Sequence, residues 1–132
     1  MAKLMIFPLI VILIGLNACT QGLPIISTPI VTSGIEGYVT KGPMCPGPVQ
    51  IGSEECKDQP YQAIISILDA SYNQITQIQT DDNGYFKILL AAGTYILHPE
   101  SGNPLPIADD QTVIVTGEQF IQVSIQYDTG IR

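Results

Sequence analysis

The stretch Thr80-Asp81-Asp82-Asn83-Gly84-Tyr85-Phe86-Lys87-Ile88-Leu89-Leu90-Ala91-Ala92-Gly93-Thr94-Tyr95-Ile96-Leu97 reads as strand end, tight turn, strand, Gly-centred turn, strand. Asn83-Gly84 tolerates the positive φ values of tight hairpin turns, so residues 81–84 predict a β-hairpin. Phe86, Ile88 and Leu90 fall on one face of the next strand. Tyr95 and Leu97 point inward from the one after it, because strand side chains alternate with a period of two.

Toward the C-terminus, residues 98–110 (HPESGNPLPIADD) form a long loop held by Pro99, Pro104 and Pro106. Residues 111–116 then give a strand with Val113 and Val115 on one face, and Gly117-Glu118 turn the chain. Residues 119–127 alternate most clearly. Ile121, Val123, Ile125 and Tyr127 face one side, as expected of an antiparallel sandwich strand with one buried and one wet face. Residues 129–132 are a short tail.

Toward the N-terminus, residues 74–80 form a strand whose isoleucines, Ile75 and Ile78, are three apart. Either a bulge lies between them or they face opposite sides. Ser71-Tyr72-Asn73 supply a turn. Residues 61–69 read as a central strand with Ala63, Ile65 and Ile67 on one face and Ile64 and Leu68 on the other. Residues 42–60 are too rich in Pro and Gly for regular structure, and 34–41 form a first strand. Cys45 and Cys56 both lie in the 42–60 loop, where an oxidising compartment makes a disulfide the natural reading. The fold class predicted is all-β, an antiparallel β-sandwich of about seven strands spanning 34–128, preceded by an N-terminal signal helix.

The order Gly37-Tyr38-Val39, Ala63-Ile64-Ile65-Ser66-Ile67, T-D-x-x-G-x-F at Thr80 to Phe86 and L-x-x-G-x-Y at Leu90 to Tyr95 resembles the carboxypeptidase regulatory-like domain family. That resemblance implies a transthyretin-like (Ig-like) sandwich. It also implies a non-catalytic stability, spacer or binding module, of the kind found beside enzymes, on cell surfaces or on outer-membrane transporters. The Cys-bearing segment 42–60 is an insertion relative to the family pattern. The family supplies no ligand residues to carry over.

Met1 to Ala18 has an n-region with Lys3 and an unbroken apolar run from Leu4 to Leu16. As a helix those thirteen residues span about 20 Å, short of the roughly 30 Å hydrocarbon core. Residues 1–18 therefore read as a signal peptide rather than a permanent span. Leu16-Asn17-Ala18-Cys19 resembles the lipobox of bacterial lipoproteins, although Asn17 departs from the usual small or aliphatic residue. The resemblance implies that Cys19 becomes the acylated N-terminus, a membrane anchor. An odd count of three cysteines is then resolved, since Cys45 and Cys56 are left to pair. Residues 19–33, with Pro24 and Pro29 and no charge, read as a flexible tether, the alternative being that Ile30-Val31 begin an edge strand. The expected location is exported and membrane-anchored, at the cell surface or the periplasmic face.

The 132 residues carry 5 Lys+Arg against 12 Asp+Glu, a net charge of −7. Nucleic-acid binding needs Lys/Arg clusters, and none exists. His98 is the only histidine, with no nucleophile elbow near it, and reads as a surface loop residue. The cysteines lack the C-x-x-C spacing of zinc or redox sites. Calcium takes oxygen ligands, which makes Asp81, Asp82, Asn83, Asp109 and Asp110 its candidates, but EF-hand spacing is absent. No cofactor is expected. Tyr38, Tyr61, Tyr72 and Tyr85 are candidate exposed aromatics, and loops 42–60 and 98–110 are the favoured recognition elements for a protein or glycan. The function expected is a non-enzymatic surface module with a binding or structural role. The alternatives are an accessory subunit docking on a membrane enzyme or transporter, and a small carbohydrate-binding or hydrolytic protein.

Overall fold

A computed structural model describes residues 22–27, 30, 32–48 and 51–132. The signal peptide and Cys19 lie outside the described residues, as does part of the tether. Among the described residues there are eight strands: β1 (Gly34–Gly42), β2 (Gln59–Pro60), β3 (Ile64–Asp69), β4 (Gln74–Gln79), β5 (Tyr85–Leu89), β6 (Gly93–Pro99), β7 (Gln111–Val115) and β8 (Phe120–Asp128). They form two four-stranded sheets packed as a sandwich. In the second sheet the order is β4-β3-β6-β7, antiparallel throughout. In the first sheet β8 runs along the whole of β1, so β5 and β2 share the other side of β1 end to end. The short β2, inside the expected loop, raises the strand count by one. Its Pro60 tolerates the position because β2 is an edge strand.

Each alternation read from sequence faces the core. Ala63, Ile65, Ile67, Phe86, Leu90, Leu97, Val113, Val115, Ile125 and Tyr127 are buried, with Ile35 and Val39 from β1. Ile78, Ile88, Tyr95, Ile121 and Val123 pack against them. Opposite Ile67 and Leu68 the register of β4 shifts by one residue at Ile75. This bulge turns Ile75 outward, half exposed, while Ile78 stays inside.

Two expectations are corrected. Residues 81–84 do not close a ladder hairpin, because β4 and β5 belong to different sheets. Asp81 Oδ1 accepts the amides of Asn83 and Tyr85, both at 2.9 Å, forming an Asx turn. Gly84 then gives its carbonyl to the Val39 amide at 2.8 Å, which commits the chain to β1 rather than back to β4. Gly84 sits at φ 72°, and a Cβ there would lie 2.1 Å from the Val39 carbonyl oxygen. The second correction concerns β8, which pairs with β1 in parallel, Gly34 opposite Phe120 through Gly42 opposite Asp128. Alternation sets which face of a strand is buried, not the direction of its neighbour.

The remaining motif residues have visible roles. Thr80 is buried, accepting the Ala63 amide at 2.8 Å and donating to the Tyr61 carbonyl at 3.0 Å. It thereby ties the end of β4 to the approach to β3. Tyr95 reaches back to donate its hydroxyl to the Ala91 carbonyl at 2.8 Å, bracing the turn between β5 and β6. Ser33, the last residue of the expected tether, already belongs to the fold: it is buried and its hydroxyl donates to the Leu90 carbonyl at 2.8 Å. Leu23, Ile25, Ile26 and Ile30 belong to no strand and are exposed.

The strand directions fix what lies at each end. Ser33 directly before β1, the 70–73 turn, 90–92 and 116–119 occupy one end. Residues 43–48, 51–58, 80–84 and 100–110 and the tail after β8 occupy the other. Along the nine residues of β1 the two ends are about 27 Å apart.

Candidate binding cleft

Both Pro-rich loops therefore meet at one end of the sandwich, against the tail. The Cys45–Cys56 disulfide closes the first, with Cα atoms 5.1 Å apart. A short 3₁₀ turn, Glu54–Cys56, sits inside it. Asp58 accepts a hydrogen bond from Gln126 at 2.6 Å, docking the loop's end on β8. Reduction, or the double change C45S/C56S, is expected to lower the unfolding free energy by about 3 kcal/mol, from a closed loop of about twelve residues. Denaturant titration of oxidised and reduced protein checks this, and an unchanged midpoint refutes it.

The second loop begins at Glu100, two residues later than expected, because β6 includes His98 and Pro99. Its Gly102 amide donates to the Pro106 carbonyl at 2.8 Å, and Ile107 exchanges both backbone bonds with Asp128, at 3.1 and 2.7 Å. The tail joins the two loops. Thr129 donates its amide to Gly42 at 3.1 Å and its hydroxyl to the Pro43 carbonyl, while Arg132 pairs with Asp128 at 2.8 Å. Asp128 is held down to about 2, below the usual carboxylate range, first by its bonds with Arg132 and then by the Gly130 amide.

Two shallow clefts flank this junction. One, about 330 Å³, is lined by Gly42, Pro43, Gln126, Asp128 and Arg132, so its charged groups are already paired. The other, about 300 Å³, is lined by Lys41, Tyr61, Leu105, Pro106 and Thr129. Here the Lys41 ammonium lies 5.3 Å from the centre of the Tyr61 ring, within cation–π reach. Tyr61 packs edge-on against Tyr127, ring centres 4.8 Å apart. Tyr127 is fully buried and donates its hydroxyl to the Glu100 carbonyl at 2.9 Å, so the cleft wall rests on a fixed core residue.

The other expected site residues are dispersed. Tyr38 and Tyr85 adjoin on the outer face of the first sheet, ring centres 5.3 Å apart. Beside them Glu36 accepts from Lys87 at 3.1 Å, from Tyr85 at 3.0 Å and from Gln122. Those bonds, that to Lys87 foremost, hold the Glu36 carboxyl below its usual range. Tyr72 stands exposed in the β3–β4 turn with φ 64°. His98 lies on a strand, not in a loop, with Nδ1 2.6 Å from Asp110 Oδ1 on an exposed surface. The calcium candidates do not converge. Asp81 spends its carboxylate on the turn, Asp110 on His98, and no three acidic, His or Cys side chains gather among the described residues. Lys41, Leu105 and Thr129 carry no mark in the sequence that singles them out, whereas Pro106 is marked only as one of the prolines holding its loop. Only Tyr61 and the proline-rich character of 98–110 point there.

No family model matches the chain, and no curated protein does either. Among solved structures it is similar to GBS52, the minor pilin of the gram-positive pathogen Streptococcus agalactiae, at 11% identity and TM-score 0.53. The match covers 72% of this chain and 43% of that one, so this chain spans less than half of its neighbour. A second similar structure, the Bacillus anthracis TIE protein, has 17% identity and TM-score 0.43, over 72% of this chain and 18% of that one. The likeness reaches the fold and no further.

Proposed function

We propose that the chain is an exported, lipid-anchored, non-enzymatic module that holds a binding surface away from a membrane. The observation that carries this reading is the polarity of the sandwich. Ser33, where the chain enters β1, lies at one end, while the disulfide-closed loop, the 100–110 loop and the tail meet at the other, about 27 Å away. Loops on a rigid scaffold are where recognition concentrates. A surface role is in keeping with the minor pilin whose fold this chain shares, and with the resemblance to carboxypeptidase regulatory-like domains. The two described cysteines are bonded to each other, which removes both thiols as nucleophiles and is in keeping with a non-catalytic role.

The test is the intact mass of the protein purified from cell membranes, together with trypsin treatment of intact cells. A chain beginning at Cys19 with added acyl mass, cut after the exposed Lys57, is the expected result. An unacylated chain recovered from the medium would overturn the anchor. Protection of Lys57 in cells, with cleavage after lysis, would overturn the outward display.

A further inference from the structure

The cleft at Lys41 differs from the rest of the surface in one respect. The chain has 12 carboxylates, and the other described cations all use one. Lys57 pairs with Glu54 at 2.6 Å, Lys87 with Glu36 at 3.1 Å and Arg132 with Asp128 at 2.8 Å. Lys41 alone among the described cations has no acidic partner, and the group it meets is the face of Tyr61. An ammonium held over an aromatic ring keeps its N–H donors for a further anion. Beside it stand the apolar walls of Leu105 and Pro106, with Leu105 45% exposed.

We propose that this cleft takes the free C-terminal carboxylate of a peptide whose last residue is apolar. Lys41 pairs with the carboxylate, and Tyr61, Leu105 and Pro106 receive the terminal side chain. The inference rests on reading the loop end as a binding surface and adds its ligand class. Charge favours this occupant over an acidic run or a phosphate polymer. One cation on a chain of net charge −7 complements a monoanion, while every further negative charge meets repulsion. Size favours it as well, since about 300 Å³ lies at the low end of ligand sites and suits one or two residues. The wall is ordered before the ligand arrives, because Tyr61 is backed by Tyr127 and its carbonyl is held by Thr80.

The experiment is an NMR titration of the ¹⁵N-labelled full chain in detergent with N-acetyl-alanyl-leucine and, separately, with its C-terminal amide. The acid is expected to shift the amides of Lys41, Tyr61, Leu105 and Thr129 with millimolar affinity, and the amide to bind roughly tenfold more weakly. K41M is expected to bind acid and amide alike, and K41R to retain the preference for the acid. Melting of K41M should fall only slightly below the parent, since Lys41 makes no ion pair within the fold and loses only its contact with the Tyr61 ring. Equal binding of acid and amide by the parent, a preference that survives in K41M, or no cleft shift up to about 20 mM overturns the proposal. Because Cys19 acylation is read by mass independently, a failed titration on an anchored chain removes the ligand class and leaves the surface module standing.

Discussion

Gly37→Ala is expected to lower the stability of the domain by about 4 kcal/mol, most of what a small domain has. Gly37 lies in the middle of β1, opposite Phe86 on one side and Val123 on the other. A Cβ built there falls 1.8 Å from the Val123 carbonyl oxygen, and that oxygen belongs to backbone, not to a side chain that can swing away. To make room, β8 must withdraw from β1 by an ångström or more. Two or three ladder bonds lengthen past usefulness, each contributing about 1 kcal/mol. The packing of Ile35 and Val39 against Ile125 and Tyr127 loosens in proportion, adding the remainder. Urea unfolding measures the effect. Gly22→Ala serves as the control, because nothing lies within 4 Å of the added methyl and the midpoint should stay put. If Gly37→Ala costs less than about 1 kcal/mol, β8 does not lie against Gly37 and the parallel pairing is wrong.

That pairing marks where sequence reasoning stops. The alternation of Ile121, Val123, Ile125 and Tyr127 states which side of β8 is buried, and it is the side that packs inward. Nothing in it distinguishes a parallel neighbour from an antiparallel one, and β1 is the strand most remote from β8 in the chain. The hairpin expected at 81–84 fails for a related reason. Asp81 and Gly84 declare a tight turn with a left-handed glycine, and the turn is there. The course of the chain beyond Gly84 depends on the partner of its carbonyl, the Val39 amide, which no local pattern reveals. By contrast the inward faces of Phe86 and Leu90 and the turn beside Tyr95 were legible in the local pattern. Thr80 bonds Ala63 and Tyr61, 17 and 19 residues away, and its role was not. The cleft was legible only in part. Loop composition located its region, but Lys41 is an ordinary strand lysine until the tail and the 100–110 loop are folded beside it. Its distinction is an unpaired charge, and that is a property of three-dimensional neighbours.

Tyr127 is the residue through which core and cleft share their stability, and its two substitutions separate packing from ionisation. Tyr127→Ala is expected to cost about 4 kcal/mol, the range for deleting a buried aromatic, because the ring is fully buried and also backs Tyr61. Tyr127→Phe keeps the ring and loses the bond to the Glu100 carbonyl, about 1 kcal/mol at neutral pH. In alkali the order reverses. Burial, with smaller contributions from Tyr61 and the Glu100 charge, pushes the Tyr127 hydroxyl up to about 12. In the unfolded chain the same group ionises near 10. The folded state therefore binds this proton more tightly, and its contribution is complete below about pH 10. It drains away as the pH rises from about 10 toward 12, by about 2–3 kcal/mol in all. Phenylalanine has no proton to lose and should be insensitive to pH at that position. Unfolding midpoints of parent and Tyr127→Phe between pH 7 and about 12 should thus start with the parent ahead and cross in the alkaline range. A constant gap across that range would show that the Tyr127 hydroxyl reaches solvent. The wall behind Tyr61 would then be looser than the cleft requires, and the millimolar affinity expected for a terminal carboxylate would fall with it.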